Sequence, residues 1–211
     1  MTPQAREVVR LQSKVNNKKL YGDALKKMGL GADQSDALLD LLSDQQVRQN
    51  ESDRLLRRDR AALEQARAEL QGRSDNEIAA LIGPDKAAQF GSYQKTLPER
   101  MQVNNMADQL DALNLPIHDD QKEQLVNIMV EEKQNLPPQP EAASFRNPEV
   151  LEARIEWQQS YNRAVLDRAS SLLTPGQYNQ VRSIQDMQIN MQQQMLQRQQ
   201  RAQARAASRS N

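Results

Sequence analysis

Leu173-Thr174-Pro175-Gly176-Gln177 constrains this chain more than any other stretch, because it is a device for starting a helix and imperfect copies of it recur upstream. Read as a helix N-terminus, Thr174 is the N-cap, Pro175 takes the first helical position and Gln177 the third. The hydroxyl and the side-chain amide then satisfy backbone N–H groups that a first turn leaves without partners. The same frame fits Leu30-Gly31-Ala32-Asp33-Gln34 and Ile117-His118-Asp119-Asp120-Gln121, each with an apolar residue before the cap and glutamine at the third position. Leu38 and Leu41, Leu125 and Ile128, and Val181 and Ile184 follow these glutamines by four and seven residues, which puts each pair on one helical face. A weaker copy, Ile82-Gly83-Pro84-Asp85-Lys86, is followed at the same offsets by Phe90 and Tyr93.

A chain built from such units is all-α. Aromatic residues make up 3% of the 211 positions, too few for the β-branched and aromatic runs that strands need, whereas Gln, Ala, Leu, Arg, Glu and Met, all good helix formers, dominate. The hydrophobic fraction of 37% beside a charged fraction of 27% favours a helical, solvent-rich architecture over one large core.

The apolar spacing divides the chain into segments. Residues 1–71 form an N-terminal helical hairpin. Its first helix carries Val8, Leu11 and Val15 as a narrow stripe, and its second runs to Leu70 with Leu42, Leu56, Leu63 and Leu70 at coiled-coil heptad multiples. The stretch from Gln45 to Arg60 is so polar that it either bridges solvent or rests one thin edge on a partner helix. Gly72 closes this helix, and Ser74-Asp75-Asn76-Glu77 reads as a capping box opening a short one. Residues 72–135 form a middle segment in which Val103, Met106, Leu110 and Leu113 repeat at three and four residues. Residues 136–147 are a proline-rich linker, 148–200 a C-terminal hairpin opened by Asn147-Pro148, and 201–211 a disordered tail.

Little in the chain points to catalysis or to a bound cofactor. It has no cysteine, so disulfides, thiolate metal sites and cysteine nucleophiles are excluded. The only imidazole, His118, lies at an N-cap position, and a metal site with Asp119 and Asp120 would require three adjacent residues to converge on one ion. Gly29 and Gly31 lack the remaining glycine and the strand of a phosphate-binding loop. The expectation is a non-enzyme with no cofactor and no metal.

Net formal charge is zero, but its distribution is uneven. Arg6, Arg10, Lys14, Lys18, Lys19, Lys26 and Lys27 make the first helix basic, residues 108–132 are mainly acidic, and every charged side chain after Asp186 is positive. Arg198, Arg201, Arg205 and Arg209 have no interleaved aromatics to stack on bases, so nucleic acid is not expected as a partner. No apolar run is long enough to span a bilayer. Met1-Thr2-Pro3 is not followed by a hydrophobic signal region, so either the chain is cytosolic or an export segment precedes it and has been removed. The adaptable side chains of Met106, Met129, Met187, Met191 and Met195, together with Leu110, are the candidate protein-binding surface.

The Leu173, Thr174 and Gln177 box, with its apolar-striped, Gln- and Met-rich helix, resembles the LTxxQ-motif family of periplasmic proteins, whose members include Spy-type chaperones and CpxP-type stress regulators. Gln34 retains the motif's Gln and Leu30 its Leu, with Gly31 at the Thr position. Gln121 retains only the Gln, with Ile117 and His118 in the other places. The resemblance implies an extended, bent, often dimeric arrangement of long amphipathic helices. It also implies a periplasmic location and ATP-independent binding of unfolded or partner proteins. The expected function is therefore a non-enzymatic, chaperone-like or stress-adaptor module of the envelope. The alternative is a structural or scaffolding protein that self-associates or binds one dedicated partner.

Overall fold

Thr2 accepts a hydrogen bond from the Ala5 N–H at 3.3 Å and opens the first of eight helices among the described residues, which are 1–56, 59–140 and 147–209 of the computed structural model. In order these are α1 (Pro3–Lys27), α2 (Ala32–Leu55), α3 (Arg60–Ile82), α4 (Pro84–Lys95), α5 (Leu97–Asp111), α6 (Asp119–Asn135), α7 (Pro148–Ala169) and α8 (Pro175–Arg209). The fold is all-α and made of helix-loop-helix units, with no strand among the described residues.

Contacts divide the chain into two units, Met1–Lys95 and Thr96–Asn211. The boundary falls inside the middle segment expected over 72–135, because α3 and α4 pack in the first unit whereas α5 and α6 pack in the second. Part of the proline-rich linker, residues 141–146, lies outside the described residues, as do 210 and 211 of the tail. Backbone helix continues to Arg209, through most of the tail expected to be disordered, and the Arg, Gln and Ala of that stretch are all favourable helix residues.

In the first unit, α1 ends in a Schellman-type turn. Gly29 adopts φ +66°, and the Leu30 N–H reaches the Leu25 carbonyl at 3.1 Å. Apolar packing gathers near that turn, where Tyr21, Ala24, Leu25, Leu30, Leu38 and Leu39 are buried. The Tyr21 ring lies 5.1 Å from Phe90 of α4, and the Tyr93 hydroxyl donates to the Leu20 carbonyl at 3.2 Å.

Two helix boundaries differ from the sequence expectation. α2 stops at Leu55 rather than running to Leu70, and Asp59 caps α3 by accepting from the Ala62 N–H at 3.0 Å. A bidentate pair between Arg67 and Asp53, at 3.1 and 3.0 Å, then clamps α2 and α3 together across the turn. Gly72 does not end a helix and Ser74 does not start one. Both lie inside α3, where Ser74 is buried.

In the second unit, α5 packs on α6, α6 on α7, α7 on α8 and α8 on α5. The core contains Val103, Met106, Leu110, Ile117, Leu125, Val126, Met129, Tyr161, Val165, Leu166, Leu173 and Val181. A smaller cluster of Leu151, Ile155, Ile189 and Leu196 continues the α7–α8 packing. Asn114, at φ +57°, ends α5 in a turn built like that of α1, with the Leu115 N–H on the Leu110 carbonyl at 2.9 Å.

Candidate protein-binding surface

The capping boxes at Gln121 and Gln177 interlock. Each glutamine accepts from the backbone N–H of its own cap residue: Gln121 Oε1 from His118 at 3.0 Å, Gln177 Oε1 from Thr174 at 2.9 Å. Each then donates through Nε2 to the loop before the other box, Gln121 to the Leu172 carbonyl at 2.9 Å and Gln177 to the Pro116 carbonyl. The two amides also face each other, with Gln121 Nε2 3.4 Å from Gln177 Oε1. The starts of α6 and α8 are thus tied by a reciprocal clasp. Leu173 and Ile117 are buried beneath it. Thr174 Oγ1 completes its box by accepting from the Gln177 N–H at 3.3 Å.

Gln34 does not belong to this arrangement. Gly31 stands at the N-cap without a side chain to offer, and Gln34 points into solvent, so the third expected box is an unassisted helix start. Thr174, Gln177 and Gln121 therefore set helix positions, and the clasp's polar atoms are directed at one another and at backbone rather than at a ligand.

Of the six apolar residues expected to form a binding surface, Met106, Leu110 and Met129 are instead core residues. They pack among α5, α6 and α7 and expose almost nothing. The three-and-four spacing that suggested an accessible stripe is the spacing with which α5 and α6 fill their shared interior. Tyr161 closes that interior, donating from its hydroxyl to the Met129 carbonyl at 3.2 Å. Burial, followed by the Glu99 and Glu132 carboxylates, pushes its phenol well above the ordinary value.

Met187, Met191 and Met195 stand differently. They lie at four-residue intervals on the face of α8 turned away from Leu151 and Ile155, and remain 43 to 57% exposed. Their flanks are the exposed polar side chains of Gln188, Asn190 and Gln194.

A second stripe was visible in the sequence but not its orientation. Val8, Leu11 and Val15 of α1 are 51 to 63% exposed, because α1 rests on α2 through its polar side instead. Arg10 and Lys14 reach Asp40 at 3.4 and 2.8 Å, Arg6 reaches Glu51 at 2.6 Å, and Asn17 meets Ser43 at 3.4 Å. The spacing of the charges at 6, 10 and 14 opposite 40 and 51 is the signal that could have shown this: the first turns of α1 face α2 with ion pairs, and fully buried apolar side chains begin only at Tyr21.

The polar middle of α2 lies along α3 over a shallow groove of about 130 Å³ lined by Gln45, Arg48, Arg67, Arg73 and Glu77. Arg48 pairs with Glu77 at 2.9 Å and Arg67 with Asp53, so most of its charge is neutralised from within. His118 is exposed at the start of α6. Among the described residues, no three of His, Cys, Asp and Glu stand together in a way that could hold a metal ion. No described helix is long and apolar enough to cross a membrane. No protein family, curated protein or solved structure matches this chain.

Proposed function

We propose that this chain is a non-enzymatic protein-binding module, chaperone-like or stress-adapting, that engages unfolded or partner proteins through the exposed apolar stripes of α8 and α1. One observation carries the reading: Met187, Met191 and Met195, and Val8, Leu11 and Val15, each form an exposed apolar row at helical spacing, whereas the other exposed large apolar side chains among the described residues, Leu55, Met101 and Leu113, stand singly. The Met side chains suit varied clients, since the unbranched thioether adapts to irregular surfaces. A stripe one side chain wide, flanked by amides, makes contacts weak enough to exchange without nucleotide. The likeness of the Thr174 box to the LTxxQ-motif family supports the same reading and goes with an envelope location.

The test is light scattering from a chemically denatured client diluted into buffer. Stoichiometric wild-type protein should suppress its aggregation, and replacing Met187, Met191 and Met195 with Gln should remove most of the effect while helicity is retained. No suppression by the wild type, or full suppression by the triple variant, would count against the proposal. A dedicated partner or a second copy of the chain is the alternative reading, and Arg198 and Arg201 beside the α8 stripe, exposed and without an ion-pair partner among the described residues, favour it.

A further inference from the structure

The outer faces of α5 and α8 carry complementary chemistry in one register. On α5, Met101, Asp108 and Asp111 are exposed and stand at relative positions 0, 7 and 10. On α8, Met191, Arg198 and Arg201 are exposed and stand at the same relative positions. Positions 0, 7 and 10 share one side of a helix, so each trio forms a short stripe of methionine followed by two like charges. The α5 charges are negative and those of α8 positive. None of the four has an ion-pair partner among the described residues, although Arg100, Lys133 and Arg168 of the same unit all find carboxylates.

We propose that the occupant of this α8 face is a second copy of the chain, whose α5 lies parallel to α8 with Met101 level with Met191, Asp108 with Arg198 and Asp111 with Arg201. Two helices side by side in that register bury the methionines against each other and bring both charge pairs together in a single step. A bilayer is the poorer fit, because the apolar stripe is a single side chain wide and has no aromatic anchors. The inference shares Met191 with the client-binding proposal, but its test reverses charges that proposal does not use, so the two fail separately.

Sedimentation over a concentration series tests it on the full chain. The wild type should associate reversibly, and more weakly at high salt because the pairs are exposed. Arg198→Asp with Arg201→Asp, and separately Asp108→Arg with Asp111→Arg, should each weaken self-association at least about tenfold, since each sets like charges opposite one another. Mixing the two variants should restore association, because every pairing is then again between opposite charges. All four residues are exposed, so circular dichroism should show both variants folded. A wild type that stays monomeric, or a mixture no stronger than its components, overturns the proposal. A monomeric wild type that binds anionic phosphatidylglycerol vesicles through the same arginines would overturn it in favour of a membrane occupant. Suppression of client aggregation, measured on the same variants, reports on the other proposal.

Discussion

Replacing Gln177 with Ala should destabilise the Thr96–Asn211 unit by about 1–3 kcal/mol, at or above the cost of losing a typical helix cap. Gln177 is 5% exposed, and its amide accepts from the Thr174 N–H while donating to the Pro116 carbonyl. Two net hydrogen bonds are worth about 0.5–1.5 kcal/mol each, and the partners left behind, on the exposed residues Thr174 and Pro116, can turn to water. The polar end of Gln121 would also lose the group it faces at 3.4 Å. Gln34→Ala is the control. It removes the corresponding glutamine of the first unit, which is exposed beside a cap residue without a side chain, and should change stability by less than about 0.5 kcal/mol. Urea unfolding followed by the fluorescence of Trp157 isolates the unit, because this is the only tryptophan and it stacks on Tyr161 at 5.2 Å within it. Combining Gln177→Ala with Gln121→Ala should cost less than the sum of the two, since each leaves the other with half a clasp. A Gln177→Ala loss below about 1 kcal/mol, or strict additivity with Gln121→Ala, would refute the interlocked reading.

Three further expectations follow from the same geometry. Leu110→Ala should cost about 2–5 kcal/mol by opening a cavity at a fully buried position, whereas Met191→Ala should fall within about 0.5 kcal/mol of wild type, both by the Trp157 urea assay. Gly31→Ser should raise the stability of the Met1–Lys95 unit by a few tenths of a kcal/mol, because a hydroxyl there can cap α2 and nothing lies within 4 Å of the added Cβ; thermal melting by circular dichroism checks this. The Tyr161 phenol is raised in the folded protein, so its contribution is fully present below the unfolded value of about 10 and is lost as pH climbs above that value. Urea titrations at alkaline pH should show the fall, and Tyr161→Phe should flatten it.

The helix starts written as cap and glutamine were legible because their chemistry is local. Thr174 and Gln177 act within four residues, and Asn147 caps α7 by accepting from the Glu149 N–H in the same way. The clasp itself was not legible, since nothing local in Gln121 says that its Nε2 will meet a carbonyl 51 residues away. The end of α2 was missed for a related reason. No glycine or proline marks residues 56–59, and the heptad leucines continue past them, so the break shows only in the cap at Asp59 and the Arg67–Asp53 clamp. Gly72 and Ser74 misled in the opposite direction, because a helix held by neighbours tolerates a glycine, and a serine three residues before a glutamate also occurs in helix interiors. The methionines divide on burial alone. Met106 and Met129 belong to helices enclosed on several sides, while Met187, Met191 and Met195 lie on the outer side of a helix whose inner side is already filled by Ile189 and Leu196.

The most direct test of that division is a methyl NMR titration. With the eight methionine methyl groups labelled and assigned, an unfolded client is added to the protein. Met187, Met191 and Met195 should shift or broaden in a saturable way, while Met106 and Met129 keep their positions. Perturbation of Met106 and Met129 with the α8 methyls unmoved, or no perturbation of any methyl at saturating client, would contradict a binding surface on the outer face of α8.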